Sequence, residues 1–301
     1  MRILITGATG LIGTELVSLL LQNGVDVHYL TTSKKKIIKQ EKYHGFFWNP
    51  AQGTIDENCL LGVDVIIHLA GASISKRWTN EYKQEIIESR ITTSNTLYKV
   101  LKENPNQVKQ IIAASAIGIY PDSLTNVYTE MSIANHDNFL ANVVVKWEES
   151  VNKFKLLDIK VCKLRTGIVL AKKGGALQEM LKPIQLGLGA AFGNGKQMTS
   201  WIHIHDLAAM YSFAAKNQWE GLYNAVSPNP ITNKKLTMLL AQYTHKPLFL
   251  PNIPRFVMRC ILGEMHELLF NDKNVSAAKA LDSGFQFQFP TIEKALHNII
   301  A

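Results

Sequence analysis

The chain opens MRILITGATGLIG (Met1–Gly13), and the reading of this stretch decides the fold. Arg2 to Thr6 is a short apolar run bounded by glycine, the pattern of a strand covered on both faces. Gly7, Gly10 and Gly13 then give a G-x-x-G-x-x-G turn. Leu11, Ile12, Leu16, Leu19 and Leu20 recur at helical spacing, and Gly24 is a natural stop. A glycine turn between strand and helix lets backbone N–H groups approach a pyrophosphate, whose charge the helix N-terminus favours. The third glycine allows helix and strand to pack closely. The residues expected at such a ligand are Gly7, Thr9, Gly10, Leu11, Ile12 and Gly13.

The pattern continues outward from this unit. Strands are predicted at Val25–Leu30, Val63–Leu69, Val108–Ser115 and Lys160–Arg165, with helices at Asn80–Leu101 and Phe139–Phe154. Alternation of this kind implies right-handed βαβ units and a parallel sheet. The fold class is therefore α/β: a Rossmann-type, doubly wound parallel sheet with a small mixed C-terminal domain. Residues 1–170 form the nucleotide-binding domain, with sheet-completing segments from about 196–228. Residues 171–301 form a substrate-covering region whose small C-terminal domain runs from about 247–299. Glycines between 174 and 195 and prolines from 228 onward break up this second half.

The end of the second strand bears on the choice of dinucleotide. It reads Tyr29-Leu30-Thr31-Thr32-Ser33-Lys34, with no Asp or Glu to accept from a ribose 2′-OH. Hydroxyls followed by lysines suit a 2′-phosphate, so NADP(H) is the expected cofactor, held in part by Thr31, Thr32 and Ser33. The cluster Lys34-Lys35-Lys36 is expected to be a solvated loop, with a role beside an anionic cofactor as the alternative.

Composition narrows the remaining classes. The net charge is +8, yet the basic residues form no single block and no aromatic-basic interleaving, so no nucleic-acid partner is expected. No apolar run reaches membrane-spanning length, and the first residues read as strand and turn rather than leader, so no membrane is expected. Cys59, Cys162 and Cys260 have neither disulfide nor zinc spacing, which suits a reduced, cytoplasmic chain. No metal is expected: His203 and His205 beside Asp206 lack a third ligand, and Asp206 reads as a helix cap.

TGATGLIG resembles the extended short-chain dehydrogenase/reductase superfamily. So does HLAGA (His68–Ala72), where a strand end lines the cofactor ribose, which implies roles for His68, Leu69, Ala70 and Gly71. The likeness continues through RWT (Arg77–Thr79), SR (Ser89–Arg90), SAIGIY (Ser115–Tyr120), FLANVVVKWE (Phe139–Glu148) and LRTGIVL (Leu164–Leu170). GGAL (Gly174–Leu177), SWIHIHD (Ser200–Asp206), GE (Gly263–Glu264) and a GF…P ending (Gly284, Phe285, Pro290) complete it. Together they resemble the atypical "epimerase family" branch that includes the bacterial YfcH-like proteins. The resemblance implies NADP binding, an extended Rossmann domain and a small C-terminal domain, and no particular substrate.

That superfamily usually works through Tyr-x-x-x-Lys plus a Ser or Thr, the lysine lowering the phenol pKa for proton transfer. Here the corresponding helix carries Phe139 to Ala141 and Val143 to Val145 at those places, and Lys146 has Asn142 four residues upstream. Tyr98 and Lys102 have the spacing but precede the Ser115 strand, and they read as ordinary helix residues. Ala116 falls where the usual serine would, with Ser115 one residue earlier. The candidate catalytic residues are therefore Tyr120, expected at the mouth of the site, and Ser115. Arg90 and Arg165 sit in or beside apolar runs and need an anion: the pyrophosphate, a substrate, or an internal carboxylate. Together with Ser115 they extend the cofactor set. Trp78, Trp201 and His203 are substrate-pocket candidates, with buried core as the alternative for the tryptophans. The expected function is an NADP(H)-dependent oxidoreductase or epimerase-like enzyme acting on a small molecule. The alternative is a non-catalytic NADP(H) sensor or partner-binding protein.

Overall fold

In the computed structural model, which describes residues 1–133 and 138–300, apolar strands and amphipathic helices alternate from the first residues. The order begins β1 (Arg2–Thr6), α1 (Leu11–Gln22), β2 (Asp26–Thr31), β3 (Lys39–Gln40), β4 (Tyr43–Asn49), β5 (Thr54–Ile55), β6 (Val65–His68), α2 (Asn80–Glu103), β7 (Gln110–Ala116) and β8 (Val127–Tyr128). It continues α3 (Phe139–Asn152), β9 (Lys160–Thr166), β10 (Ile168–Leu170), α4 (Gly175–Gln185), β11 (Met198–Thr199), β12 (Trp201–His203), α5 (Ile204–Lys216) and β13 (Gly221–Ala225). The last elements are β14 (Ile231–Thr232), α6 (Asn233–Tyr243), α7 (Arg255–Leu262), α8 (Glu267–Phe270), β15 (Asn274–Val275), α9 (Ala278–Asp282) and α10 (Ile292–Ile300).

The main sheet has the strand order β13-β9-β7-β6-β1-β2-β4-β3, with β5 paired to β4. From β13 to β4 every pairing is parallel; β3 and β5 are antiparallel additions to β4. The sheet is thus mixed, with a parallel centre. The order reverses between β1 and β6, and a doubly wound sheet opens its binding crevice at that switch point. Strand alternation explains the two layers. Ile3, Ile5, Val27 and Tyr29 turn to the face covered by α1 and α5, where Leu16, Leu20, Leu207 and Tyr211 meet them. Leu4, Leu30, Ile66 and Ile111 turn to the other face, against Leu97 of α2 and Trp147 and Val151 of α3. Each fully buried Leu or Ile stabilises this arrangement by about 1.5–3 kcal/mol.

The early strands and helices stand close to where periodicity puts them; β1 matches residue for residue. Two features were not legible. β4, YHGFFWN, mixes aromatics with Gly45 and shows no clean alternation. The lysine cluster, expected to be a solvated loop, is a short 3-10 turn (Lys34–Lys36). β13 falls within the stretch 196–228 expected to complete the sheet, and it joins the main sheet beside β9. The rest of the second half builds its own core from Leu177, Leu181 and Ile184 of α4, Leu236 and Leu240 of α6, and Leu296 and Ile299 of α10.

Candidate functional site

The glycine turn lies at the switch point. Gly7 has φ +72°, and a side chain there would press within 3.1–3.2 Å of the Leu69–Ala70 backbone at the end of β6. Gly10 N–H donates to Gly7 O at 3.0 Å, closing the turn. A Cβ on Gly13 would fall 2.2 Å from Gly7 O and 2.7 Å from Ala8 Cα, so only glycine lets α1 lie against its own turn. Thr9, Gly10 and Leu11 are exposed, and no side chain caps the first turn of α1. The free N–H groups of that turn are what an anion would meet.

The neighbouring strand end is braced from behind. Thr6 Oγ1 accepts from Leu69 N and Ala70 N and pairs with His68 Nδ1 at 2.7 Å; His68 Nε2 lies 3.2 Å from Ser94 Oγ, which donates to Arg90 O. The chain of donors runs Thr6, His68, Ser94, Arg90 if the imidazole is neutral with its proton on Nε2. Burial pushes the His68 pKa down to about 4, which keeps it neutral. The His68 ring, expected beside the ribose, is fully buried and braces Leu69 and Ala70 through Thr6.

Arg90 is the one expected contact whose charge is left unmatched. It is 9% exposed, on α2 behind Gly71. Its Nη1 donates to Ile86 O within its own helix, and its guanidinium lies 4.8 Å from the Trp147 ring centroid. Among the described residues no carboxylate pairs with it, and its buried Nε has no hydrogen-bond partner. Burial lowers its pKa to about 10, which still leaves a cation at neutral pH. An unmatched buried cation is costly, and an anion removes the cost.

At the end of β2, Thr31 is buried and its Oγ1 accepts from Ser33 N at 3.2 Å, while Thr32 is exposed. Tyr29 OH donates to Lys36 O at 2.7 Å and accepts from Ile38 N at 2.8 Å, pinning the lysine turn to the sheet. Gly45 makes this possible, since a Cβ there would lie 2.5 Å from the Tyr29 phenol.

The opposite end, where a proton relay was sought, is closed on itself. Arg165 grips Glu148 with two bonds, Nε to Oε1 at 2.8 Å and Nη2 to Oε2 at 3.0 Å. Ser115 donates to Glu148 Oε1 at 2.6 Å. Arg165 Nη1 donates to Tyr120 OH, which donates to Asn224 Oδ1, and Asn224 N donates to Glu130. Burial alone would raise the Glu148 pKa; the bonds and charge of Arg165, with Lys163 and Ser115, outweigh it and hold the carboxyl below its ordinary value. Burial raises the Tyr120 pKa against the pull of Arg165. Three expectations are corrected here. Tyr120 has no exposed surface and stacks on Tyr128 in a packed cluster, so it is not at a mouth. Arg165 has found the internal carboxylate, and the Ser115 hydroxyl proton is engaged by that same carboxylate. The three are drawn together by satisfying one another, which a buried charge requires.

On α3, Val143 and Val144 are buried and Lys146 points to solvent. Tyr98 packs edge-on against Phe154, and Lys102 is exposed. Trp78 donates Nε1 to Ile74 O and meets Phe139, Ile86, Val143, Met265 and Leu268 in an apolar cluster. Trp201 and His203 are corrected from pocket to core. Trp201 is wholly buried with Nε1 on Asn229 O. His203 accepts from His205 N to cap α5 and stacks on Phe289 at 3.9 Å. Burial, with His205 adding to it, pushes the His203 pKa down to about 4. Asp206 accepts from Gln288 N and Phe289 N, tying the GF…P ending to α5. Among the described residues no three His, Cys, Asp or Glu side chains gather as for a metal, and no helix is long and apolar enough to cross a membrane. Sequence reasoning missed Glu148, Asn224, Thr6 and Ser94. Glu148 had a signal: a carboxylate on an otherwise apolar helix face, with an arginine in a buried strand needing one.

The parallel sheet, its switch point and the glycine turn define a Rossmann-type nucleotide-binding protein. The model of the NAD dependent epimerase/dehydratase family matches residues 3–225, and a domain of unknown function, DUF1731, matches residues 253–299. The chain belongs to that epimerase/dehydratase family. It is 34% identical over 302 residues to the epimerase family protein YfhF of Bacillus subtilis, covering 100% of this chain and 98% of that protein. It is 35% identical over 299 residues to the epimerase family protein SAR0825 of Staphylococcus aureus, covering 99% and 98%. Among solved structures it resembles human epimerase family protein SDR39U1 with NADPH, at TM-score 0.85 and 29% identity over 100% of this chain and 99% of that one. A Thermus thermophilus UDP-glucose 4-epimerase complex with NAD shares the fold, at TM-score 0.76 and 17% identity over 100% and 98%.

Proposed function

We propose that this protein binds NADP(H) and works in the cytoplasm as an oxidoreductase or epimerase-like enzyme of the atypical, YfcH-like branch, on a small-molecule substrate. Arg90 carries this reading: a buried guanidinium without a carboxylate, beside the strand end that abuts the glycine turn. The residues fit the cofactor. Gly7, Thr9, Gly10, Leu11, Ile12 and Gly13 would cradle the pyrophosphate on backbone N–H groups, with Arg90 supplying charge. Leu69, Ala70 and Gly71 would line the ribose side. Thr32, Ser33 and the lysine turn would take the 2′-phosphate, since no carboxylate stands there to repel it. The bound cofactor supplies hydride. Substrate would lie over the C-terminal strand edge, covered by residues 171–301, with Trp78 and its cluster at one wall. The NADPH named with the human relative supports the phosphate-bearing form.

A second reading, a non-catalytic NADP(H) sensor, rests on one observation. Ser115, Tyr120, Glu148 and Arg165 are engaged with one another, which leaves none of the four free to exchange a proton. Titrating NADPH and NADH by calorimetry tests the shared claim, with NADPH expected to bind tighter. NADPH oxidation measured over a panel of carbonyl compounds and nucleotide sugars separates the two: turnover supports the enzyme, and tight binding without turnover supports the sensor.

A further inference from the structure

We propose that Phe47 is a positioning residue for cofactor selectivity, holding the Lys34 ammonium where a 2′-phosphate would arrive; the proposal rests on the NADP(H) reading above. Thr31, the last residue of β2, is in register with Phe47 of β4, so Phe47 stands beside the strand end that chooses the cofactor. Its neighbour Phe46 packs into the core on the α2 and α3 side, and strand alternation turns Phe47 to the opposite face. There the Lys34 Nζ lies 5.3 Å from the Phe47 ring centroid, within reach of a cation–π attraction. Lys34 makes no ion pair among the described residues, so its charge is not claimed by a carboxylate.

Two fixtures therefore act on the turn that carries Lys34. Tyr29 fixes the backbone of the turn through Lys36 O and Ile38 N, and Phe47 fixes the side-chain end. A free lysine has many rotamers, and a phosphate that captures it must arrest them all. A ring that already narrows them lowers that cost without neutralising the charge, as preorganisation does for any ligand. The effect falls on the 2′-phosphate alone, because NADH has nothing for Lys34 to meet.

The test is a double-mutant cycle read by calorimetry with NADPH and NADH on the full-length protein. Lys34→Met should weaken NADPH by about tenfold, the scale of a charge-assisted contact, and leave NADH unchanged. Phe47→Leu should weaken NADPH by about two- to fivefold, the range of an exposed cation–π contact, again without changing NADH. In the Lys34→Met background, Phe47→Leu should have no further effect, and Phe47→Trp in the wild-type background should keep the NADPH preference. Unchanged NADH affinity also shows that each variant is folded. Equal weakening of both cofactors by Phe47→Leu, no weakening at all, or an undiminished effect in the Lys34→Met background overturns the role of Phe47 and leaves the cofactor reading intact. A wild-type protein with no preference for NADPH overturns the cofactor reading and this inference with it.

Discussion

The two ends of the central crevice treat their polar groups in opposite ways. At the glycine turn, the N–H groups at the start of α1 have no side-chain cap, and among the described residues Arg90 has no counter-charge. At the Ser115 end, Glu148 joins Ser115 and Arg165, Arg165 joins Tyr120, and Tyr120 joins Asn224, so each group is another's partner. Unmatched donors in a crevice call for a ligand, whereas a matched buried network calls for nothing. The two ends thus differ in what they leave unmatched: helix N–H groups and a buried cation at the glycine turn, and a closed network of charges and hydroxyls beside Ser115.

The contrast is broken most severely by Glu148→Ala. It strands Arg165 in the interior and should destabilise the protein by about 3–5 kcal/mol, measured by denaturant unfolding. A loss under 1 kcal/mol would mean that the network is not what holds that end.

Acid attacks two of the buried imidazoles most directly, His68 and His203. His68 and His203 titrate near 4 when folded, against about 6.5 in an unfolded chain. The unfolded state therefore takes the proton first as pH falls. Their contribution is fully present above about pH 6.5 and is lost on the way down to 4, on the order of 2–3 kcal/mol for each. His68→Asn should flatten the stability profile over that window; an unchanged profile would show that His68 does not titrate as its burial requires.

Gly13→Ala should destabilise by about 1–3 kcal/mol and abolish NADPH binding, because its Cβ would collide with backbone that has nowhere to move. Gly10→Ala, whose Cβ would meet only Gly7 O at 3.3 Å, should be far milder in circular-dichroism melts. Equal effects would mean that the turn is not packed as described.

Arg90→Met should cost about tenfold in NADPH affinity and leave thermal stability level or higher, since an unmatched charge has been replaced by an apolar chain. A matching loss of stability would make Arg90 a structural residue. Tyr120→Phe should give the smallest effect, roughly 1 kcal/mol of stability from two lost hydrogen bonds, with NADPH affinity unchanged. A large drop in turnover without loss of stability would restore Tyr120 as a proton donor.

The legible parts of the site were those in which a residue and its neighbours in sequence are sufficient. Gly7, Gly10 and Gly13 announce a turn because strand, glycines and helix are contiguous. The missing carboxylate after β2 is likewise a local fact. Lys34–Lys36 is exposed as expected, but its ordered turn was not legible, because the residue that holds it, Tyr29, is kept in place by space at Gly45, on a strand the sequence did not disclose. Trp201 read equally well as pocket or core in one dimension, and His203 read as pocket; only the fold shows the Asn229 and Phe289 partners that settle them inside.

The sequence by itself determined the α/β layering, the glycine turn and the valines on α3, because periodicity and short spacings are properties of neighbouring residues. The tertiary structure alone decided which arginine is free. Arg90 and Arg165 are alike in sequence, each a cation among apolar residues. Glu148 lies within bidentate reach of Arg165, while among the described residues Arg90 donates to a helix carbonyl and lies over the Trp147 ring with no carboxylate beside it. The pairing of charges is a matter of distance in space, and residues far apart along the chain acquire that distance only when strands and helices have packed.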